Sequence, residues 1–125
     1  MRKKILYVED EADQVAVVTA RLNVAGYDVI SAASGGEGII KAGSEKPDLI
    51  LLDVMLPDIE GFEICQHLKR SPDTGKIPII IITASGRKEI VKKFLDLGAD
   101  DFIRKPFGSE ELVTKIKDLL KEWRH

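Results

Sequence analysis

The sequence predicts an α/β domain, a single doubly wound sheet of five parallel strands with helices on both faces. Three observations predict it. Five short runs rich in isoleucine, leucine and valine recur along the 125 residues, and most are apolar continuously rather than at alternate positions, as in strands covered on both sides. Longer amphipathic stretches with helical spacing lie between them. Glycines follow several of those stretches and precede the next run, the order expected of helix-to-strand loops. Such strand–helix alternation, with right-handed crossovers, gives an open parallel sheet.

The elements follow in order. KILYV (4–8) is the first strand, and Val15, Val18, Leu22 and Ala25 mark a helix that Gly26 ends. DVISA (28–32) is the second strand, followed by a weaker helical segment, GGEGIIKAG, read as ending at Gly43. DLILL (48–52) is the third strand and GFEICQHLKR the third helix. PIIII (78–82) is the fourth strand. Ile90, Phe94 and Leu97 then place a helix in RKEIVKKFLDLG, capped by Gly98. DFIR (101–104) is the last strand, and Val113, Ile116, Leu120 and Trp123 repeat at helical spacing to the end. One domain over 1–125 accounts for the whole chain, and Met1 just before the first strand is read as a natural start.

Composition narrows the function. No apolar run approaches the ~20 residues that cross a bilayer, and the basic start MRKK precedes only four apolar residues before three acids, too few for an export signal. One cysteine, Cys65, excludes an internal disulfide and fits a reducing cytoplasm; its place with Phe62 and Leu68 on an apolar face points to packing. Residues 1–62 carry six basic and eleven acidic groups, residues 63–125 thirteen and ten. The acidic first half argues against a phosphate backbone as its main partner. Arg87, Lys88, Lys92 and Lys93 are read as a solvated helix face, with docking of an acidic partner or pairing with Asp96 and Asp100 across a dimer as the other options, and Trp123 as covering the end of the sheet, an interface role being its alternative.

In open parallel sheets function gathers beyond the carboxyl ends of the strands. There the chain places Glu9, Asp10 and Glu11 after strand one, Asp53 after strand three, Thr83 after strand four and Lys105-Pro106 after strand five. If strands one and three are neighbours, Glu9, Asp10 and Asp53 share one pocket. Two like charges ~4 Å apart repel by roughly 4 kcal/mol at an effective dielectric near 20, so a cation or a proton must relieve them. Hard oxygens without His or Cys suit Mg2+. An ammonium such as Lys105 and a hydroxyl such as Thr83 suit phosphoryl oxygens.

ILYVEDE, LILLDVMLPDIEG, IIIITAS and DDFIRKPF, in this order and spacing, resemble the receiver domain of bacterial two-component response regulators over the whole chain. The resemblance implies a flavodoxin-like sheet in the order 2-1-3-4-5. It implies Asp53 as phosphoacceptor from a phosphohistidine on a histidine kinase or histidine phosphotransfer protein. Mg2+ would be held by Asp10, Asp53 and the carbonyl of Met55, with Glu9 acting mostly through water. Thr83 and Lys105 would bind phosphoryl oxygens, and Phe102 would turn inward with Thr83 as a switch. The face of helix four, strand five and helix five would then be read by a downstream protein target or output domain, a phosphorylation-dependent homodimer being one option. On that reading the domain is a signalling acceptor, not an enzyme, with only self-catalysed phosphoryl uptake and slow autodephosphorylation.

Two positions depart from the family's commoner residues: Glu9, more often aspartate, and Phe102, which lacks a tyrosine hydroxyl. Met55 and Ser85 lie where the family varies; apolar Met55 is expected to impede water and lengthen the life of the aspartyl phosphate. Rival readings are a metal-dependent aspartyl-phosphate phosphatase, disfavoured by Met55 where a second acid belongs, and a flavodoxin-like cofactor binder, disfavoured by EDEAD where a flavin phosphate would sit. A pseudo-receiver that binds a partner without phosphorylation also remains. Glu11 is read as an acid that favours a helix N-terminus.

Overall fold

A computed structural model of the chain describes residues 2–54, 60–84 and 86–121. All five apolar runs are strands: β1 (Lys4–Val8), β2 (Asp28–Ala32), β3 (Leu49–Asp53), β4 (Ile79–Thr83) and β5 (Asp101–Arg104). They form one parallel sheet in the order β2-β1-β3-β4-β5. The helices between and after them are α1 (Ala12–Val24), α2 (Gly35–Glu45), α3 (Gly61–Arg70), α4 (Lys88–Asp96) and α5 (Ser109–Leu120).

Strand alternation divides the interior into two layers. Leu6, Val8, Ile50, Leu52, Ile79 and Ile81 face α2, α3 and α4, where Ala42, Ile64, Cys65, Leu68 and Phe94 cover them. Ile5, Tyr7, Leu49, Leu51, Ile80, Ile82 and Ile103 face α1 and α5 and meet Val18, Leu22, Leu112 and Ile116. Each such aliphatic side chain contributes roughly 1.5–3 kcal/mol on full burial, so the uninterrupted apolar runs follow from a sheet with two dry faces. Cys65 is packing in the first layer, as expected, and burial pushes its thiol up.

The boundaries of β3, β4 and α2 differ from the sequence reading. β3 starts at Leu49, because the Asp48 carboxylate serves the sheet's rim by accepting the Lys4 N–H at 2.8 Å. β3 and β4 each run one residue further, so that Asp53 and Thr83 belong to their strands. Gly43 lies inside α2 rather than ending it: buried Ala42 carries the helix on, and the left-handed turn falls at Lys46 (φ 49°). Gly26 (φ 102°) and Gly98 (φ 108°) do stand at helix exits, in backbone that residues with a Cβ avoid.

The start of α2 also finishes the sheet. Ser34 Oγ accepts the Glu37 N–H at 3.1 Å, and Glu37 Oε1 accepts the Ala33 N–H at 2.6 Å, a capping box in outline. Lys41, paired with Glu37 at 3.3 Å, donates to the Ser31 carbonyl at 2.6 Å. Asp28 and Ala32 bond toward β1, which turns Ser31 and Ala33 outward, so this pair covers part of the open edge of β2. Among the described residues no helix is long and apolar enough to cross a membrane.

Candidate functional site

The alternation that builds the two layers also aims the polar strand-end residues. Asp53 continues the face of Leu49 and Leu51, and Glu9 and Lys105, one step past β1 and β5, continue the faces of Tyr7 and Ile103. All three therefore converge at the carboxyl rim on the α1–α5 side. Lys105 Nζ donates to Asp53 Oδ2 at 2.5 Å and to Glu9 Oε1 at 3.2 Å. Asp53 and Glu9 are each 2% exposed, so one ammonium is shared by two buried carboxylates.

Glu9 is held on both oxygens. Oε2 accepts the N–H groups of Asp10 (3.1 Å) and Glu11 (3.4 Å), while Oε1 accepts Lys105 and the hydroxyl of Tyr7 at 3.3 Å. Burial, and then the neighbouring Asp53, push the Glu9 carboxyl up to about 7 in spite of Lys105. Burial alone would lower the Lys105 ammonium, but Asp53 and Glu9 together raise it. The trio carries one negative charge more than it neutralises, and that excess favours a proton or a cation.

Asp10 is exposed, at the start of the loop into α1, and its N–H donates to Glu9 Oε2. Among the described residues no three His, Cys, Asp or Glu side chains come together as a ready-made metal cage. The donor set still fits Mg2+, which binds through one or two carboxylates and keeps several waters. Asp53, Glu9 and Asp10 offer only hard oxygens, and the surplus charge is of the right sign.

Thr83 faces the other way. It continues the face of Ile79 and Ile81, is buried, and lines a cleft of about 430 Å³ with Val54, Gly61, Phe62, Ile90 and Phe94. Phe62 and Phe94 stack there with centroids 4.1 Å apart. Phe102 is half-buried against the same layer, with Lys115 Nζ 5.6 Å from its ring centroid. Lys105-Pro106 is a cis peptide. Met55, Ser85 and Trp123, each given a role from the sequence, lie outside the described residues.

The family model of the response regulator receiver domain matches residues 5–117. The chain belongs to the response regulator receiver family. It is 43% identical over 121 residues to the alkaline phosphatase synthesis transcriptional regulatory protein PhoP of Bacillus subtilis, covering 97% of this chain and 50% of that protein. The receiver thus spans about half the length of the curated relatives it matches. A receiver domain protein from Methanospirillum hungatei superposes with a TM-score of 0.87 at 35% identity, covering 98% of this chain and 96% of the other. The receiver domain of a sensor histidine kinase from Pseudomonas aeruginosa, described with a magnesium ion coordinated in its active-site cleft, gives 0.89 at 28% identity, over 97% and 99%. In this receiver the element order and the sheet order are those the resemblance implied.

The hydroxyl of Tyr7 escaped the sequence reading, which took the residue as apolar strand. The available signal was parity: two residues before Glu9 on a strand, Tyr7 shares its face.

Proposed function

We propose that this receiver takes a phosphoryl group on Asp53 from a phosphohistidine of a histidine kinase or phosphotransfer protein. The observation that carries the reading is the buried Asp53 carboxylate at the end of β3, ion-paired to a lysine that also pairs Glu9. With Oδ2 oriented by Lys105, a carboxylate oxygen of Asp53 forms the new P–O bond as the donor's P–N bond breaks. Lys105 then meets phosphoryl oxygens with the charge it now gives Asp53. The carboxylates it serves are buried, which strengthens its field at their oxygens. Asp53, Asp10 and the carbonyl of Met55 would hold Mg2+, with Glu9 close by; when bound, Mg2+ supplies charge neutralisation for the incoming phosphoryl oxygens.

Phosphorylation adds roughly −1.5 to −2 of charge, by analogy with phosphoserine. Thr83, at the end of β4 and beside β5, is placed to follow that charge with its hydroxyl, and Phe102 to repack as Thr83 moves. The resulting population shift alters the surface of α4, β5 and α5, which a downstream protein target or an output domain reads. Uptake is self-catalysed and autodephosphorylation slow.

Incubation with acetyl phosphate and Mg2+ followed by intact-mass measurement tests the reading. One added phosphoryl group is expected, lost in Asp53→Ala and in the presence of a chelator. An unmodified wild-type chain would overturn it in favour of partner binding without phosphorylation.

A further inference from the structure

Among the described residues Tyr7 is the largest fully buried side chain, and it is also polar. Its ring lies in the α1–α5 layer, where phenylalanine would fill the same space. What phenylalanine would lack is the hydroxyl, which ends 3.3 Å from Glu9 Oε1.

Four donors surround the Glu9 carboxylate: two backbone N–H groups on Oε2, and Lys105 and Tyr7 on Oε1. The backbone pair comes from the loop that Glu9 itself begins, and Lys105 is divided between Glu9 and Asp53. Tyr7 alone among the four is a side chain held rigidly in the core and not shared with Asp53. The glutamate is one methylene longer than aspartate, and its carboxylate stands 3.3 Å from the hydroxyl two residues back in the chain.

We propose that Tyr7 is a positioning residue whose hydroxyl fixes the Glu9 carboxylate beside Lys105 and Asp53, so that the acidic pair presents one preset oxygen arrangement to a divalent cation. Tyr7 itself touches neither cation nor phosphoryl group. The inference rests on the phosphoacceptor reading of the site. It also assigns a cause to the glutamate at position 9: hydroxyl and longer carboxylate form a matched pair.

The test is a double-mutant cycle on Mg2+ affinity, measured by calorimetry on the unphosphorylated chain, with Tyr7→Phe, Glu9→Asp and the double variant. Tyr7→Phe is expected to weaken Mg2+ binding about tenfold, the lower range for a group that orients a metal ligand, while its urea midpoint shows a folded core. In the Glu9→Asp background the same change is expected to have almost no effect, because the shorter carboxylate does not reach the hydroxyl. Unchanged affinity in Tyr7→Phe, or equal weakening in both backgrounds, overturns the inference alone. Absence of Mg2+ binding by the wild-type chain overturns the phosphoacceptor reading and this inference with it.

Discussion

Glu9 and Lys105, 96 positions apart in the chain, lie 3.2 Å apart at the rim of the sheet, and the same ammonium reaches Asp53 at 2.5 Å. Two carboxylates that would repel each other are thus joined through one cation. The arrangement follows from β1, β3 and β5 delivering side chains of the same parity to the same end.

Lys105→Met removes the cation and leaves two buried acids facing each other. A loss of about 3 kcal/mol is expected at pH 8 in chelator, in the range for breaking a buried pair from one side. Asp53→Ala keeps Lys105 paired with Glu9 and relieves the like-charge contact, so it is expected to be neutral or stabilising. Urea unfolding of both variants measures the contrast, and equal losses would contradict the shared-cation account.

Stability without metal should depend on pH through Glu9. The unfolded chain releases this proton near the ordinary value of 4.5, the folded chain near about 7. Within that window the folded state holds the extra proton, so stability falls as pH rises from 4.5 to about 7 and levels off above. Urea midpoints across the window in chelator are expected to decline in wild type and to be flatter in Glu9→Gln. Parallel curves would count against the raised carboxyl.

Gly98→Ala is expected to cost more than Gly26→Ala. Both force a Cβ into positive φ, a penalty of about 1–2 kcal/mol. A Cβ at Gly26 meets nothing within 4 Å, whereas at Gly98 it would stand 3.0 Å from Lys69 Cγ. Lys69 has little room to yield, since Nζ donates to the Ile77 carbonyl at 2.8 Å and to Asp100 at 3.2 Å. Thermal melts of the two variants give the ranking.

The β2 edge gives a fourth expectation. Glu37→Ala with Lys41→Ala uncovers the Ser31 carbonyl and the Ala33 N–H, and exposed strand edges pair with one another. Light scattering should show concentration-dependent self-association in the double variant and less in wild type. Identical profiles would mean that the pair does not guard the edge.

Much of this was legible in the sequence because burial on both faces writes itself as unbroken apolar runs. The strands follow from those runs, while the convergence of Glu9, Asp53 and Lys105 also needed the sheet order, which the resemblance to receivers supplied. Gly43 misled, since a glycine inside a helix reads like one at its exit, and only the burial of Ala42 distinguishes them. Asp10, grouped with Glu9 by adjacency, is exposed at the rim where Glu9 is buried, a difference that residue type alone does not carry. The link from Tyr7 to Glu9 required a distance that no pattern of residue types contains.

The parity of β3 and β4 has one more effect. Asp53 looks toward α1 and α5, Thr83 toward α2, α3 and α4, so the sheet acts as a partition with its doorway at the carboxyl rim. Under the proposed phosphoacceptor reading, a charge deposited on one side would be handed over by the Thr83 hydroxyl at the threshold. Helix α4 would then answer to a modification made in a room it does not occupy.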